Sequence, residues 1–303
     1  MQELGKTGLE VSRIALGCMR MDALTVAEAS QVLQTALENG INFFDHADIY
    51  GGGQSELRFA AAAKELGLKR DDMILQSKCG IHDGYFDFSK EHILKSVDGI
   101  LSRLETDYLD VLALHRPDAL MEAEEVAAAF YRLKKAGKVR HFGVSNQNIY
   151  QMELLQSYMD MPLAVNQLQL SPAHTPMIDA GFHVNMKDDA ATMRDGGLID
   201  YCQLKKITIQ AWSPFLVSLS EGIFATHPAY AKLNATIAKY ASQYGVSDEA
   251  IVVAWIMRHP AKIQTIVGSM NPGRLAKIAQ AEKVSLTRAE WYDIYKSAGN
   301  ILP

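Results

Sequence analysis

Short, almost uninterrupted apolar runs alternate along this chain with longer stretches whose apolar residues recur at helical spacing. The first run is Ile14-Ala15-Leu16-Gly17. A capping box, Thr25 to Glu28, then opens a stretch in which Val26, Ala29, Val32, Leu33, Ala36 and Leu37 share one helical face, and Asn39-Gly40 closes it. The pair repeats. Runs at 41–45, 73–78, 109–115, 139–145, 164–167, 207–212 and 263–267 alternate with helical patterns. Those patterns cover 54–66, 89–104, 121–136, 149–158, 197–206, 230–244 with 247–258, and 272–282. Runs without polar alternation are what strands buried on both faces require. Eight such strands, each followed by a helix, predict an α/β fold, a (β/α)8 TIM barrel forming a single domain over 1–303.

Three features decorate the repeat. Residues 1–16 read as an N-terminal β-hairpin turning at Gly5-Lys6-Thr7-Gly8. A polar insertion, 171–196, follows the sixth strand, and the tail 283–303 carries a second capping box, Thr287 to Glu290, and one more helix. A long loop at the strand exits either covers an active site or is a tolerated surface insertion. No G-x-G-x-x-G turn follows the first strand, and no P-loop, GxSxG elbow or HExxH helix occurs.

Charge narrows the function classes. The 303 residues carry a net charge of −5, which gives no basic footprint for nucleic acid. The three cysteines, Cys18, Cys79 and Cys202, make no CxxC pair and fit a reducing compartment. The N-terminus has neither a basic start nor an apolar core, and no run is long and apolar enough to cross a membrane. A soluble, cytoplasmic protein is expected, as a monomer or a homodimer.

The chemistry sits at the strand exits, where barrels carry their catalytic groups. Those exits read Asp45, Lys78, His115, Ser145-Asn146, Gln167, Trp212-Ser213 and Gly268-Ser269, with Tyr50 just after the second. Singly, Asp45 could cap a turn and Tyr50 could be a loop aromatic. Six or seven polar exits around one mouth point instead to a site. Tyrosine is a weak acid, with an unperturbed pKa of about 10. A nearby ammonium favours the phenolate, so Lys78 is expected to make its proton easier to give. Asp45 would balance the lysine and His115 would orient a carbonyl oxygen. The set suits protonation of an oxygen that gains charge as hydride reaches its carbon.

These residues, with their spacing, resemble the catalytic tetrad of the aldo-keto reductases. The resemblance covers nearly the whole chain. It includes Phe44-Asp45-His46-Ala47-Asp48-Ile49-Tyr50-Gly51, His115-Arg116-Pro117, Gly143-Val144-Ser145-Asn146, Trp212-Ser213-Pro214 and Gly268-Ser269. Asp-His-Ala-Asp and Leu-His-Arg-Pro-Asp further resemble the YdhF-like bacterial branch. The resemblance implies NADP(H)-dependent reduction of a small-molecule carbonyl. Tyr50 would donate the proton, tuned by Lys78 and Asp45. Ser145, Asn146 and Gln167 would hold the nicotinamide carboxamide, with Trp212 where the family often stacks a tyrosine. Ser213, Pro214 and Leu216 would line the pyrophosphate loop. Ser269, Asn271 and Arg274 would face the adenosine phosphate, with Asn271 as N-cap and Pro272 as first helical residue. Met19, Tyr85, Phe86 and Phe215 would line an apolar substrate pocket with Tyr50 and Trp212.

Two departures bear on the cofactor. Gly268 stands where the family often has a lysine, and Lys277-Ile278 where it often has Glu-Asn. Three other readings are a redox-sensing NADP(H)-binding subunit, a Schiff-base aldolase through Lys78, and a metal-dependent hydrolase using Asp45, His46, Asp48 and His115. The last is weakened because His46, next to an inward Asp45, should point away from the barrel axis. No metal is expected in the site.

Overall fold

In the computed structural model, which describes residues 1–184, 186, 189, 192 and 196–300, the eight apolar runs are eight parallel strands closed into a barrel. An antiparallel hairpin of β1 (Gln2–Glu3) and β2 (Glu10–Val11) comes first. The barrel strands are β3 (Ile14–Gly17), β4 (Phe43–Asp45), β5 (Ile74–Cys79), β6 (Leu109–Leu114), β7 (Val139–Ser145), β8 (Leu163–Gln169) and β9 (Thr208–Trp212). A small hairpin, β10 (Leu216–Ser218) and β11 (Gly222–Ile223), intervenes before β12 (Gln264–Val267). β12 pairs with both β9 and β3 and closes the ring. The helices are α1 (Val26–Glu38), α2 (Gln54–Glu65), α3 (Lys90–Arg103), α4 (Ala123–Lys135), α5 (Ile149–Gln156), α6 (Pro176–Phe182), α7 (Leu198–Lys205), α8 (Ala231–Tyr244), α9 (Asp248–Met257), α10 (Pro272–Ala279) and α11 (Arg288–Ser297).

The boundaries differ from the expected ones for local reasons. The second strand begins at Phe43 because Asn42 instead exchanges hydrogen bonds with Ser12: its Oδ1 accepts the Ser12 N–H at 2.9 Å, and its own N–H donates to Ser12 Oγ at 3.1 Å. The expected helix 272–282 is α10 followed by a separate 3-10 turn, Gln280–Lys283. Both predicted capping boxes form, Thr25 with Glu28 and Thr287 with Glu290.

Two apolar clusters hold the barrel. The larger lies between the sheet and the helices. The smaller joins Ala15, Phe43, Val111, Ala164, Val165 and Ile266 with Leu4 and Val11 of the hairpin, all buried. The hairpin therefore packs on barrel side chains, away from the strand exits. Gly5, at φ +56°, permits this contact: a Cβ there would lie 2.6 Å from the Ala164 carbonyl oxygen.

The insertion starts in order. An isolated bridge joins Ser171 and His174, and α6 follows. Tyr295 Oη of α11 donates to Asp179, and Asn300 donates to Thr175 Oγ1 at 3.2 Å. Most of 185–195, like 301–303, lies outside the described residues. The C-terminal helix is clamped by Trp255 and Trp291. Their rings stack at 4.8 Å, and each indole N–H donates to the other's backbone carbonyl at 3.0 Å.

Candidate active site

β4 and β5 are neighbours in a register that sets Asp45 beside Gln76. Lys78 lies two residues beyond Gln76 and so shares its inward face. Its ammonium sits 2.7 Å from Asp45 Oδ1 and donates to the His46 carbonyl at 2.6 Å, with the lysine side chain fully buried. Beyond β4 the chain still follows β5: the N–H of His46 bonds to Gln76 O at 2.8 Å, and that of Asp48 to Lys78 O at 3.0 Å. A 3-10 turn, Tyr50–Gly53, then folds back. Gly51 makes that turn possible, since at φ +58° a Cβ would lie 2.7 Å from Asp22. The turn sets the Tyr50 ring 5.0 Å from the Lys78 ammonium and edge-on to the His115 ring, 5.8 Å between centroids. His115, just past β6, is fixed by its N–H to Cys79 O at 3.0 Å. The four predicted side chains thus converge from three adjacent strands.

Their protonation follows from burial and from one another. Burial would lower the Lys78 pKa, but Asp45 and Tyr50 outweigh it and hold the ammonium above its ordinary value. A Schiff-base lysine must be neutral to attack a carbonyl, so this pair disfavours the aldolase chemistry. Burial pushes the Tyr50 phenol up; Lys78 pulls it down and Asp45 raises it further, for a net rise. Lys78 acts in the expected direction, but desolvation outweighs it, and the phenol keeps its proton at neutral pH. Burial first, then Lys78 and Arg116, lower His115 to about 2, so its ring is uncharged.

A buried row of amides below the tetrad was, apart from Gln167, missed from sequence. Gln76 Nε2 donates to Asp45 Oδ1 and to Gln210 Oε1, each at 2.7 Å. Gln210 Nε2 donates to Gln264 Oε1 at 2.9 Å, and Gln264 Nε2 to the Ser12 carbonyl at 2.7 Å. Gln167 Nε2 joins from β8, 3.1 Å from Asp45 Oδ1 and 3.3 Å from Gln210 Oε1. Gln76 Oε1 has no partner. Behind β5, buried Glu56 accepts from Arg103 at 2.7 Å and from Ser77 at 2.8 Å. Burial first, then Glu56, raises neighbouring Asp48 to about 7.

A second group of predicted residues meets across β7, β8 and β9. Asn146, in the left-handed region at φ +57°, donates to Ser145 Oγ at 2.7 Å and accepts from the Trp212 indole at 3.3 Å. Ser145 Oγ donates to Gln167 O at 3.1 Å. A cleft of about 470 Å³ opens here, lined by Asn146 and Trp212 and by Arg116, Gln169, His174 and Leu219. Arg116 stacks 5.5 Å from the Trp212 ring. His174 brings the insertion to the cleft wall. Ser213, at φ +49°, accepts the Leu216 N–H at 3.1 Å beside buried Pro214.

At the eighth exit, Gly268 is exposed and Ser269 Oγ accepts the Asn271 N–H at 3.4 Å. Asn271 caps α10 through the Arg274 N–H at 2.9 Å, with Pro272 at the first helical position. Arg274 does not stand free: its Nε pairs with Glu249 Oε1 at 3.0 Å, and its guanidinium lies 5.8 Å from the Phe215 ring. Phe215 is thus beside α10. Met19, Tyr85 and Phe86 are exposed on the β3–α1 and β5–α3 loops. The metal set suggested by sequence does not assemble, because Asp45 faces lysine and amides while His46 is buried edge-on against Phe59 of α2 at 4.5 Å.

A closed eight-stranded barrel with Asp45, Tyr50, Lys78 and His115 at its mouth defines an oxidoreductase scaffold, and the chain belongs to the aldo/keto reductase family, whose model matches residues 13–298. It is 36% identical to oxidoreductase YdhF of Escherichia coli, covering 96% of this chain and 95% of that one. It is 34% identical to 6-dehydroglucose reductase of Agrobacterium fabrum over 96% and 95% of the two chains. The fold also matches an aldo-keto reductase from Klebsiella pneumoniae solved with NADPH, with TM-score 0.75 and 23% identity over 94% of this chain and 90% of that one. No helix among the described residues is long and apolar enough to cross a membrane.

Proposed function

We propose that this protein reduces aldehyde and ketone carbonyls to alcohols with NADP(H), with Tyr50 giving the proton to the carbonyl oxygen. The observation that carries the reading is the buried Lys78–Asp45 pair under a protonated Tyr50, with an uncharged His115 alongside. A nicotinamide nucleotide, when bound, supplies the hydride. His115 donates a ring N–H to the carbonyl oxygen and orients it, which an uncharged imidazole does without giving up the proton. As that oxygen gains charge, Tyr50 hands over its proton, and the phenolate left behind is favoured by the ammonium of Lys78. Asp45 keeps that ammonium in place, and the glutamines keep Asp45 in place.

The residues fit the nucleotide. Asn146 presents its amide beside the Trp212 ring at the cleft, backed by buried Ser145 and Gln167. The α10 N-terminus with Ser269 and Arg274 offers an anion site at the eighth exit, where barrels commonly bind phosphate. The NADPH in the Klebsiella structure supports the cofactor choice. Three buried, unpaired cysteines suit a reducing cytoplasm. The Agrobacterium relative makes 6-dehydroglucose the first carbonyl to assay.

The test is Tyr50→Phe, which keeps the ring and removes the acid. Turnover should fall at least about 100-fold, the usual worth of general acid catalysis, with NADPH affinity nearly unchanged. A variant keeping a tenth of the wild-type rate would refute the assignment.

A further inference from the structure

The loop between β5 and α3 gathers three metal-ligating side chains that carbonyl reduction does not use. His82, Asp87 and His92 are evenly spaced, each five residues after the last. A bridge between Ile81 and Phe86, with His82 N–H to Tyr85 O at 2.9 Å and Asp87 N–H to Gly80 O at 3.0 Å, folds the loop back on itself. Gly80, at φ +106°, allows the fold: a Cβ there would lie 2.0 Å from the Phe88 ring. Ser89 then caps α3 and sets His92 in its first turn.

We propose that His82, Asp87 and His92 bind one divalent ion of the zinc type. One ligand atom from each lies within 4.8 Å of the other two, and all three residues are half-buried. His82 Nε2 is 3.3 Å from His92 Nδ1. Two imidazole nitrogens on a tetrahedral zinc at about 2.0–2.1 Å stand about 3.3–3.4 Å apart, so the rings already have the spacing of a ligand pair. The outer contacts are those of a held site. Ser96 Oγ lies 3.1 Å from His92 Nε2, occupying the nitrogen that faces away. Asp87 Oδ1 accepts the Ser89 N–H at 2.8 Å, which fixes the carboxylate. The His82 ring stacks on Tyr85 at 4.5 Å with the planes 2° apart. A hydrogen bond between the two rings accounts for the 3.3 Å alone. It does not account for a carboxylate within reach of both nitrogens. Two imidazoles and one carboxylate select zinc, cobalt or nickel over calcium and magnesium, which prefer all-oxygen shells. Half-burial leaves the fourth position to water. An ion here would pin the loop that carries Tyr85 and Phe86 to α3.

The proposal is independent of the reductase reading, and its test needs no turnover. Chelator-treated full-length protein is titrated with Co²⁺, read by visible absorption, and with Zn²⁺, read by calorimetry. Wild type should bind one equivalent of each, and Zn²⁺ should raise its Tm. His92→Ala and Asp87→Asn, each first shown by circular dichroism to be folded, should bind at least about tenfold more weakly and lose the Tm response. Ser96→Ala should lose about tenfold in affinity by releasing the outer nitrogen. Wild type without one-equivalent binding, or with affinity equal to that of His92→Ala and Asp87→Asn, overturns the site.

Discussion

Replacing Lys78 by Met separates what the lysine does for the fold from what it does for the chemistry. The ammonium is fully buried, 2.7 Å from an Asp45 carboxylate whose side chain is only 3% exposed. Met fills most of the same volume, so the main effect is an uncompensated charge. Removing one partner of a buried ion pair costs roughly 3–5 kcal/mol. Asp45 keeps the Gln76 and Gln167 amides at 2.7 and 3.1 Å, so the lower end of that range is expected. At about 2–4 °C per kcal/mol, the Tm should drop by about 6–12 °C at pH 8. Asp45→Asn in the same chain removes the stranded charge and should recover most of the stability. Turnover should stay low in both variants, because the Tyr50 phenol loses the cation that favours its anion. Thermal unfolding by circular dichroism at pH 8, with carbonyl-dependent NADPH oxidation in parallel, reads both effects. A single variant as stable as wild type at pH 8, or a double variant less stable than the single, would refute the reasoning.

Three further outcomes are expected. Asp48 is raised to about 7 in the folded chain, well above the ordinary carboxylate value of 3.8. Its folded state therefore binds the proton more tightly, its stability contribution is complete below the ordinary carboxylate range, and it is lost as pH climbs to 7. The ceiling is about 4 kcal/mol, and partial exposure brings it to about 1–2, so Asp48→Asn should raise the Tm at pH 8 and leave it unchanged at pH 4. Arg274→Ala should weaken NADPH binding about ten- to a hundredfold with little change for NADH, while Glu249→Ala, by freeing that arginine, should tighten NADPH; Trp212 fluorescence quenching measures both. Gly143→Ala would set a methyl 2.3 Å from Val165 Cγ2 and 2.9 Å from its carbonyl oxygen, and should lose about 1–3 kcal/mol in urea unfolding, partly restored by Val165→Ala.

Much of this molecule was legible because the barrel writes burial on both faces into its strands. The run 139–145 is β7 residue for residue, and Asp45, Lys78 and His115 stood out as polar groups closing apolar runs. Gln76, Gln210 and Gln264 did not, because a single polar residue inside Leu75-Gln76-Ser77 or Ile209-Gln210-Ala211 reads as noise along one strand. Only their equal depth on separate strands reveals the row. For Tyr50, the pull of Lys78 was readable from strand neighbours, while the larger effect of desolvation depends on the closed mouth. Glu249 as the partner of Arg274 depends on how α9 packs on α10, which no local pattern encodes. The histidines at 82 and 92 were passed over because they close no strand; their even spacing around Asp87 was the available signal.

The row of amides also has a polarity. A glutamine in line donates with nitrogen and accepts with oxygen, so a row of them has a giving end and a receiving end. This one terminates on acceptors at both ends, the Asp45 carboxylate and the Ser12 carbonyl. Its direction must therefore reverse at an amide that gives away both hydrogens; Gln76 does so, and Gln167 gives its hydrogens to the same two acceptors from β8. The partnerless Gln76 Oε1 is the defect such a reversal creates. The orientation of each side-chain amide along the row is thus dictated from its ends. The Asp45 carboxylate is tied in this way to the seam where the last strand meets the first, so it is held as designed only once the ring has closed.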